Sequence, residues 1–208
     1  MKQIAPLPPI FREFRQTGGV LEFAAFEDAQ GTEDEIITAI ASTLNHIAPV
    51  NTEALRSIGS RRITRQQFFG DWYDPESAAL IRVGDWKIEG EKKLRNNPRF
   101  ADIGRKKIVS GGGPIPEVGA GGQFAFAFTD PPYGLRAPYG DVQILFDQIC
   151  EFLMPPGSEI DILDWSSDRL PDVCDYFADG MEWWGVFLFS LYVPALKRLT
   201  IIAGSSTD

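Results

Sequence analysis

The first clear element in the hydrophobic pattern is an amphipathic helix that follows a short strand. Residues 20–26 are mostly apolar and have the length of a strand. After them, isoleucine and leucine recur at three- and four-residue intervals between Ile36 and Ile47, which places them on one face of a helix. Thr32 and Glu35 have the spacing of a capping box. We therefore predict a helix that begins after Thr32.

The C-terminal half continues with alternating strands and helices. The pattern predicts strands over residues 124–128 and 159–165, a helix capped by Asp141 that reaches Phe152, and a helix over residues 171–184. Two apolar runs, residues 186–193 and 199–203, flank a Pro194-Ala195 corner and predict an antiparallel hairpin.

Together these elements predict an α+β fold. We expect one domain over residues 1–208, with a mixed or mostly antiparallel sheet, packed helices and a C-terminal β-hairpin. The glycine-rich residues 111–122 are either a long surface loop or an internal boundary.

Composition limits the compartment and the class of protein. A hydrophobic content of 44% is enough for a sizeable core, which argues against long disordered segments. No apolar run has the length of a signal sequence or of a membrane span, so we expect a soluble cytoplasmic protein. Cys150 and Cys174 are then expected to be free thiols.

Charge is distributed unevenly between the two halves. The net charge is −9, but residues 1–108 carry 16 Lys or Arg against 15 Asp or Glu. Residues 109–208 carry 4 basic against 14 acidic side chains. Such a field disfavours nucleic acid and anionic membranes as partners and favours a basic protein.

The sharpest acidic feature lies on the predicted helix over residues 171–184. Four carboxylates fall on the side opposite its apolar residues: Asp172, Asp175, Asp179 and Glu182. The segment contains no Lys or Arg, and like charges at this spacing cost about 0.2–0.5 kcal/mol per pair. Either a solvated face tolerates this cost, or a basic partner offsets it.

Neighbouring residues extend the predicted partner-binding surface. Asp161 and Asp164 lie on the preceding strand, and Trp183 is an aromatic residue suited to anchor an interface. The expected surface therefore comprises Asp161, Asp164, Asp172, Asp175, Asp179, Glu182 and Trp183. No calcium-type loop accompanies these carboxylates, so we expect no metal and no cofactor.

Enzymatic chemistry is poorly supplied. His46 is the only histidine, and it lies away from the apolar face of its helix. Asp130-Pro131-Pro132-Tyr133 resembles the catalytic turn of amino-group methyltransferases that use S-adenosylmethionine, and residues 117–122 resemble the cofactor loop of that family. The resemblance implies that this turn follows a strand and holds the target amine. In that family, however, further strand–helix units separate the two motifs.

A second resemblance supports a binding role. Residues 182–187, continuing into residues 192–196, are similar to immunity proteins of bacterial polymorphic toxin systems. This resemblance implies a tight complex with one basic cognate toxin, such as a nuclease, whose active site is occluded. We therefore expect a binding protein and no enzyme. The alternatives are a methyltransferase-like enzyme and a structural or scaffold subunit that forms homo-oligomers.

Overall fold

The computed structural model describes residues 1–207 and contains strands and helices along the whole of that range. The strands are β1 Lys2–Gln3, β2 Glu22–Glu27, β3 Arg61–Arg62, β4 Tyr73–Asp74, β5 Ala79–Leu80, β6 Asp85–Ile88, β7 Leu94–Asn96, β8 Ile108–Gly112, β9 Asp161–Asp164, β10 Val186–Val193 and β11 Arg198–Ser205. The helices are α1 Pro9–Gln16, α2 Glu33–Leu44, α3 Thr52–Ile58, α4 Arg65–Phe69, α5 Phe100–Ile103, α6 Phe124–Thr129 and α7 Tyr139–Leu153.

The largest sheet has six strands in the order β1-β2-β11-β10-β9-β3. Every neighbouring pair in it is antiparallel. The hairpin of β10 and β11 lies at its centre, with Val186 opposite Ser205 and Val193 opposite Arg198. The predicted α+β fold, with a mostly antiparallel sheet and a C-terminal hairpin, is confirmed.

Both faces of this sheet are buried under helices. Along β10, Phe187, Phe189 and Leu191 point into a first core, which α1, α6 and α7 cover. Val186 and Leu188 point into a second core on the opposite face, which α2 and α3 cover. The alternation of side chains along a strand thus divides the apolar residues of β10 between two layers. This arrangement explains why β10 is apolar almost throughout.

Helix α2 begins where the sequence predicts. The Thr32 hydroxyl accepts a hydrogen bond from the Glu35 N–H at 3.4 Å. The Glu35 carboxylate instead accepts from the N–H of Gln30, at 2.7 Å. Half of the expected capping box is therefore present, and the second half is replaced by a contact that holds the loop before the helix.

The strand predicted over residues 124–128 is wrong, because this segment forms helix α6. All six residues of α6 are buried. The alternation of phenylalanine and alanine is typical of a strand with one exposed face, but a helix buried on every side has no exposed face to reveal its period. Gln123 precedes α6 with a φ of +66° and so turns the chain into it.

The helix predicted over residues 171–184 is also wrong, because three short 3₁₀ turns occupy most of that range. They are Leu170–Asp172, Asp175–Phe177 and Asp179–Met181. Cys174 is extended, with φ −158° and ψ 130°, and therefore separates the first two turns. The carbonyl of Val173 accepts from the N–H of Asn51 at 2.8 Å, so it is used by the loop before α3 instead of by a continuous helix.

Residues 71–113 form two smaller antiparallel sheets, which are a β4–β5 pair and a three-stranded sheet of order β7-β6-β8.

The predicted capping role of Asp141 is wrong, because α7 already begins at Tyr139. Cys150 and Cys174 are free thiols. Across residues 1–207, no helix has both the length and the apolar character that crossing a membrane requires.

Candidate partner-binding surface

The candidate surface is the acidic segment, defined as residues 168–182. Buried apolar residues fix it to the body of the protein: Leu170, Val173 and Phe177 are all at most 1% exposed and lie in the second core. Beyond its end, Trp184 is fully buried in the first core, and its indole N–H donates to the carbonyl of Asp130 at 2.7 Å. The segment therefore has a defined shape although it lacks a regular helix.

Five carboxylates of the acidic segment are exposed. They are Asp168, Asp172, Asp175, Asp179 and Glu182. The 3₁₀ turns and the residues that join them keep the buried side chains three or four positions apart, so the intervening carboxylates face outward together. The expected exposure of Asp172, Asp175, Asp179 and Glu182 is thus present, although the predicted helix is not.

Few cations of the protein itself neutralise these carboxylates. Arg169 Nε lies 3.4 Å from Asp172 Oδ2, and both side chains are more than half exposed. Glu182 accepts a hydrogen bond from the Thr207 hydroxyl. Within residues 1–207, the carboxylates of Asp175 and Asp179 accept no hydrogen bond and form no ion pair. The segment therefore presents uncompensated negative charge to solvent.

Asp164 must be removed from the predicted contact surface, because its side chain is only 2% exposed. Its carboxylate accepts from the N–H of Gly122 at 2.8 Å, from the N–H of Ser166 at 3.0 Å and from Arg61 Nη2 at 3.3 Å. A carboxylate with these partners holds the glycine-rich loop and strand β3 against β9. Its role within the structure is to hold the fold together.

Asp161 and Trp183 are also less available than the sequence suggests. The Asp161 carboxylate is paired with the Arg62 guanidinium on the neighbouring strand, and it is one-third exposed. Trp183 is partly buried and packs against the first core. Neither residue projects from the surface as an isolated charge or a protruding aromatic anchor. The exposed part of the predicted surface is therefore the acidic segment alone.

A second acidic surface, which the sequence pattern did not lead us to predict, lies on α7. Asp141, Asp147 and Glu151 are exposed there, together with Ile144, which is 56% exposed. Partial burial raises the pKa of Asp147 above its ordinary value, and a hydrogen bond from Gln143 partly opposes that shift. The spacing of these carboxylates along the helix is the signal that would have revealed this surface.

The structure disagrees with the expectations of the methyltransferase resemblance. Asp130-Pro131-Pro132-Tyr133 follows helix α6 instead of a strand, and the main sheet is antiparallel. Asp130 Oδ1 lies 3.0 Å from Arg82 Nη1 in an ion pair. In the segment that resembles a cofactor loop, Gly122 donates its N–H to the Asp164 carboxylate. A glycine-rich loop binds anions through its N–H groups, and here the anion comes from the chain itself.

Two further kinds of catalytic group remain to be placed, the single histidine and possible metal ligands. His46 is exposed just beyond the end of α2. Among the residues that the structure describes, no three side chains of the metal-binding types lie close enough together to hold an ion.

Comparison of the chain with protein-family models, with curated proteins and with solved structures gives no match.

Proposed function

We propose that this protein is an acidic binding protein of the immunity type, which neutralises a basic toxin, such as a nuclease, by covering its active site. The acidic segment is the proposed contact surface. The observation that carries the proposal is the pair of exposed carboxylates, Asp175 and Asp179, which have no partner within residues 1–207 and stand on a segment anchored by buried side chains.

Charge complementarity is the physical reason for choosing a basic partner. The carboxylates of the acidic segment repel one another in the free protein, and lysine or arginine side chains of a partner would remove that repulsion. Complementary potentials accelerate encounter and reject wrongly charged partners. A nuclease provides such a surface, because its own substrate is a polyanion.

Preorganisation favours a tight complex. Leu170, Val173 and Phe177 hold the acidic segment in place before binding, so little conformational entropy remains to be lost on association. A disordered acidic tail would lose that entropy at the moment of binding. The anchored segment is therefore suited to a stable complex with one partner.

The test is affinity capture from the native cells, with the purified chain as bait and mass spectrometry as the readout. The contact variant replaces Asp172, Asp175 and Asp179 by Asn. The matched control variant carries Asp141→Asn, Asp147→Asn and Glu151→Gln on α7, which removes the same charge from another surface. We expect one basic protein to be retained by the wild type and by the control, and to be lost from the contact variant at about 0.3 M salt.

Two results would reject the proposal. One is equal retention of the captured protein by the contact variant and the wild type. The other is a captured protein whose biochemical activity is unchanged when it is saturated with the wild-type chain, because an immunity protein must neutralise what it binds.

A structural subunit that self-associates is the second candidate function. Three aliphatic side chains on or beside the β7-β6-β8 sheet are more than half exposed: Leu94 at 59%, Val109 at 65% and Ile115 at 52%. Exposed apolar side chains are a feature of association surfaces when they form a patch. Sedimentation of the purified chain at micromolar concentration tests this second candidate, which predicts a homo-oligomer; a monomer at that concentration rejects it.

A further inference from the structure

A cavity of about 470 Å³ lies on the side of the sheet that α7 covers. The N-terminal end of α7, helix α5, the end of α6 and the segment that leads into β8 form its walls. The side chains that matter for its chemistry are Arg82, Arg105, Lys106, Lys107, Asp130 and Tyr139. The acidic segment contributes nothing to this lining.

The cavity is basic although the protein is acidic. Four of its lining residues are cations and one, Asp130, is an anion, in a chain whose net charge is −9. Lys106 is partly neutralised by Glu91, whose carboxylate lies 3.0 Å from Lys106 Nζ. Arg105 and Lys107 have no ion pair within residues 1–207. The lining of the cavity therefore carries a local excess of positive charge, although Arg105, Lys106 and Lys107 are exposed to solvent.

Arg82 is held rigidly at this site. Its guanidinium carbon lies 4.4 Å from the ring centre of Trp86 and 5.4 Å from that of Trp72. The Asp130 carboxylate lies 3.0 Å from Arg82 Nη1, and the Arg82 side chain is 18% exposed. Its Nε–H is buried and has no hydrogen-bond partner among the described residues. Buried donors without a partner are uncommon in proteins.

Tyr139 adds a hydroxyl donor to the same lining. Its ring packs edge to face with Phe100, with the ring centres 4.9 Å apart. Burial raises the pKa of Tyr139 above its ordinary value, and Arg82 only partly opposes that shift. The hydroxyl therefore keeps its proton at neutral pH and remains able to donate a hydrogen bond.

We propose that this cavity binds a small polyanion, whose charge is carried by phosphate or carboxylate groups. Arginine side chains hold both groups through paired N–H donors, and the volume of the cavity falls within the usual range for small-molecule sites. Arg105 and Lys107 supply the uncompensated charge, while Arg82 and Tyr139 supply fixed donors. This proposal is independent of the proposed function, because it uses another surface.

The test is a calorimetric titration of the purified chain with pyrophosphate and, separately, with citrate, at low ionic strength. The site variant is Arg105→Gln with Lys107→Gln. The matched control is Lys92→Gln with Lys93→Gln, which removes the same charge at exposed positions that do not line the cavity. We expect at least one probe to bind, with a Kd about tenfold or more higher in the site variant and nearly unchanged in the control.

A second measurement locates the bound probe without relying on affinity. The nuclear magnetic resonance signal of the Arg82 Nε–H, assigned with the Arg82→Lys variant, should shift on saturation with that probe. The proposal is overturned if neither probe binds at millimolar concentration. It is also overturned if both double variants weaken binding equally, or if the Arg82 signal does not move while the probe is bound. Binding of pyrophosphate alone or of citrate alone identifies which anionic group the cavity prefers.

Discussion

At the scale of single residues, Asp164 shows how a buried carboxylate can be mistaken for a binding group. Its charge contributes to the acidic total, yet its partners are the N–H groups of Gly122 and Ser166 and the guanidinium of Arg61. Burying a charge is costly unless it is paired and hydrogen-bonded, and these contacts meet that requirement. The sequence cannot distinguish it from the partly exposed Asp161, which lies three residues earlier.

Replacing Asp164 should therefore affect stability far more than replacing Asp161. Asp164→Asn weakens hydrogen bonds to a charged group, which contribute about 1.5–3 kcal/mol, and places an amide N–H₂ near N–H donors. Asp161→Asn removes only a partly exposed ion pair, whose contribution is about 0–1 kcal/mol. Urea unfolding of both variants measures the difference. Equal midpoints for the two variants would contradict the structural role of Asp164.

Tyr176 gives a prediction about pH. Burial, and secondarily the charge of Glu22, raise the pKa of Tyr176 far above its ordinary value. In the unfolded chain the phenol ionises near pH 10, whereas in the folded protein it stays protonated. The unfolded state therefore binds fewer protons above that pH, and the stability of the folded protein falls as the pH rises.

The Tyr176→Phe variant isolates this contribution. Its free energy of unfolding should decline less between pH 9 and pH 11 than that of the wild type. The reason is that the variant lacks the phenol, whose pKa is about 10 in the unfolded chain and which therefore ionises on unfolding. Urea titrations at several pH values give the two slopes. Parallel declines in the wild type and the variant would show that Tyr176 ionises equally in both states.

At the scale of elements, the end of the glycine-rich loop depends on close approach to Asp164. Gly121 has a φ of +82°, and a Cβ at that position would lie 2.2 Å from Asp164 Oδ2. Gly157, in the loop after α7, has a similar φ of +74° but no atom within 4 Å of such a Cβ. The two glycines therefore share the backbone requirement and differ in the space around them.

Alanine at these two positions separates the two effects. Gly157→Ala should cost about 1–2 kcal/mol, which is the cost of a left-handed conformation for a residue with a Cβ. Gly121→Ala carries the same cost and in addition displaces the Asp164 carboxylate from its donors. Its unfolding midpoint in urea should be clearly lower than that of Gly157→Ala. Similar midpoints would mean that the loop moves away from Asp164 without loss.

The sequence predicts elements well where one face is buried and the other is exposed. Helix α2 is of this kind. The hairpin of β10 and β11 is buried on both faces but is marked by its Pro194-Ala195 corner. Both elements are confirmed. Helix α6 is buried on every side, so its alternating pattern carries no information about its period. In the acidic segment the spacing of buried residues is correct, but the chain forms 3₁₀ turns, and the Val173 carbonyl accepts from the N–H of Asn51, which is distant in sequence.

At the scale of the whole molecule, charge is arranged in separate surfaces. The acidic segment and the outer face of α7 are negative, whereas the cavity beside Arg82 is positive. The sequence reveals the acidic segment, because its residues are close together in the chain. It does not reveal the cavity, whose residues range from Arg82 to Tyr139 and meet only in the folded protein.

The immunity-type account depends on the acidic segment being the inhibitory surface. The most direct measurement is the activity of the captured basic protein, titrated with the wild-type chain, the contact variant and the α7 control. The account predicts stoichiometric inhibition by the wild type and the control, and at least about tenfold more of the contact variant for the same inhibition, equivalent to a loss of about 1.4 kcal/mol. Equal inhibition by all three proteins would contradict it.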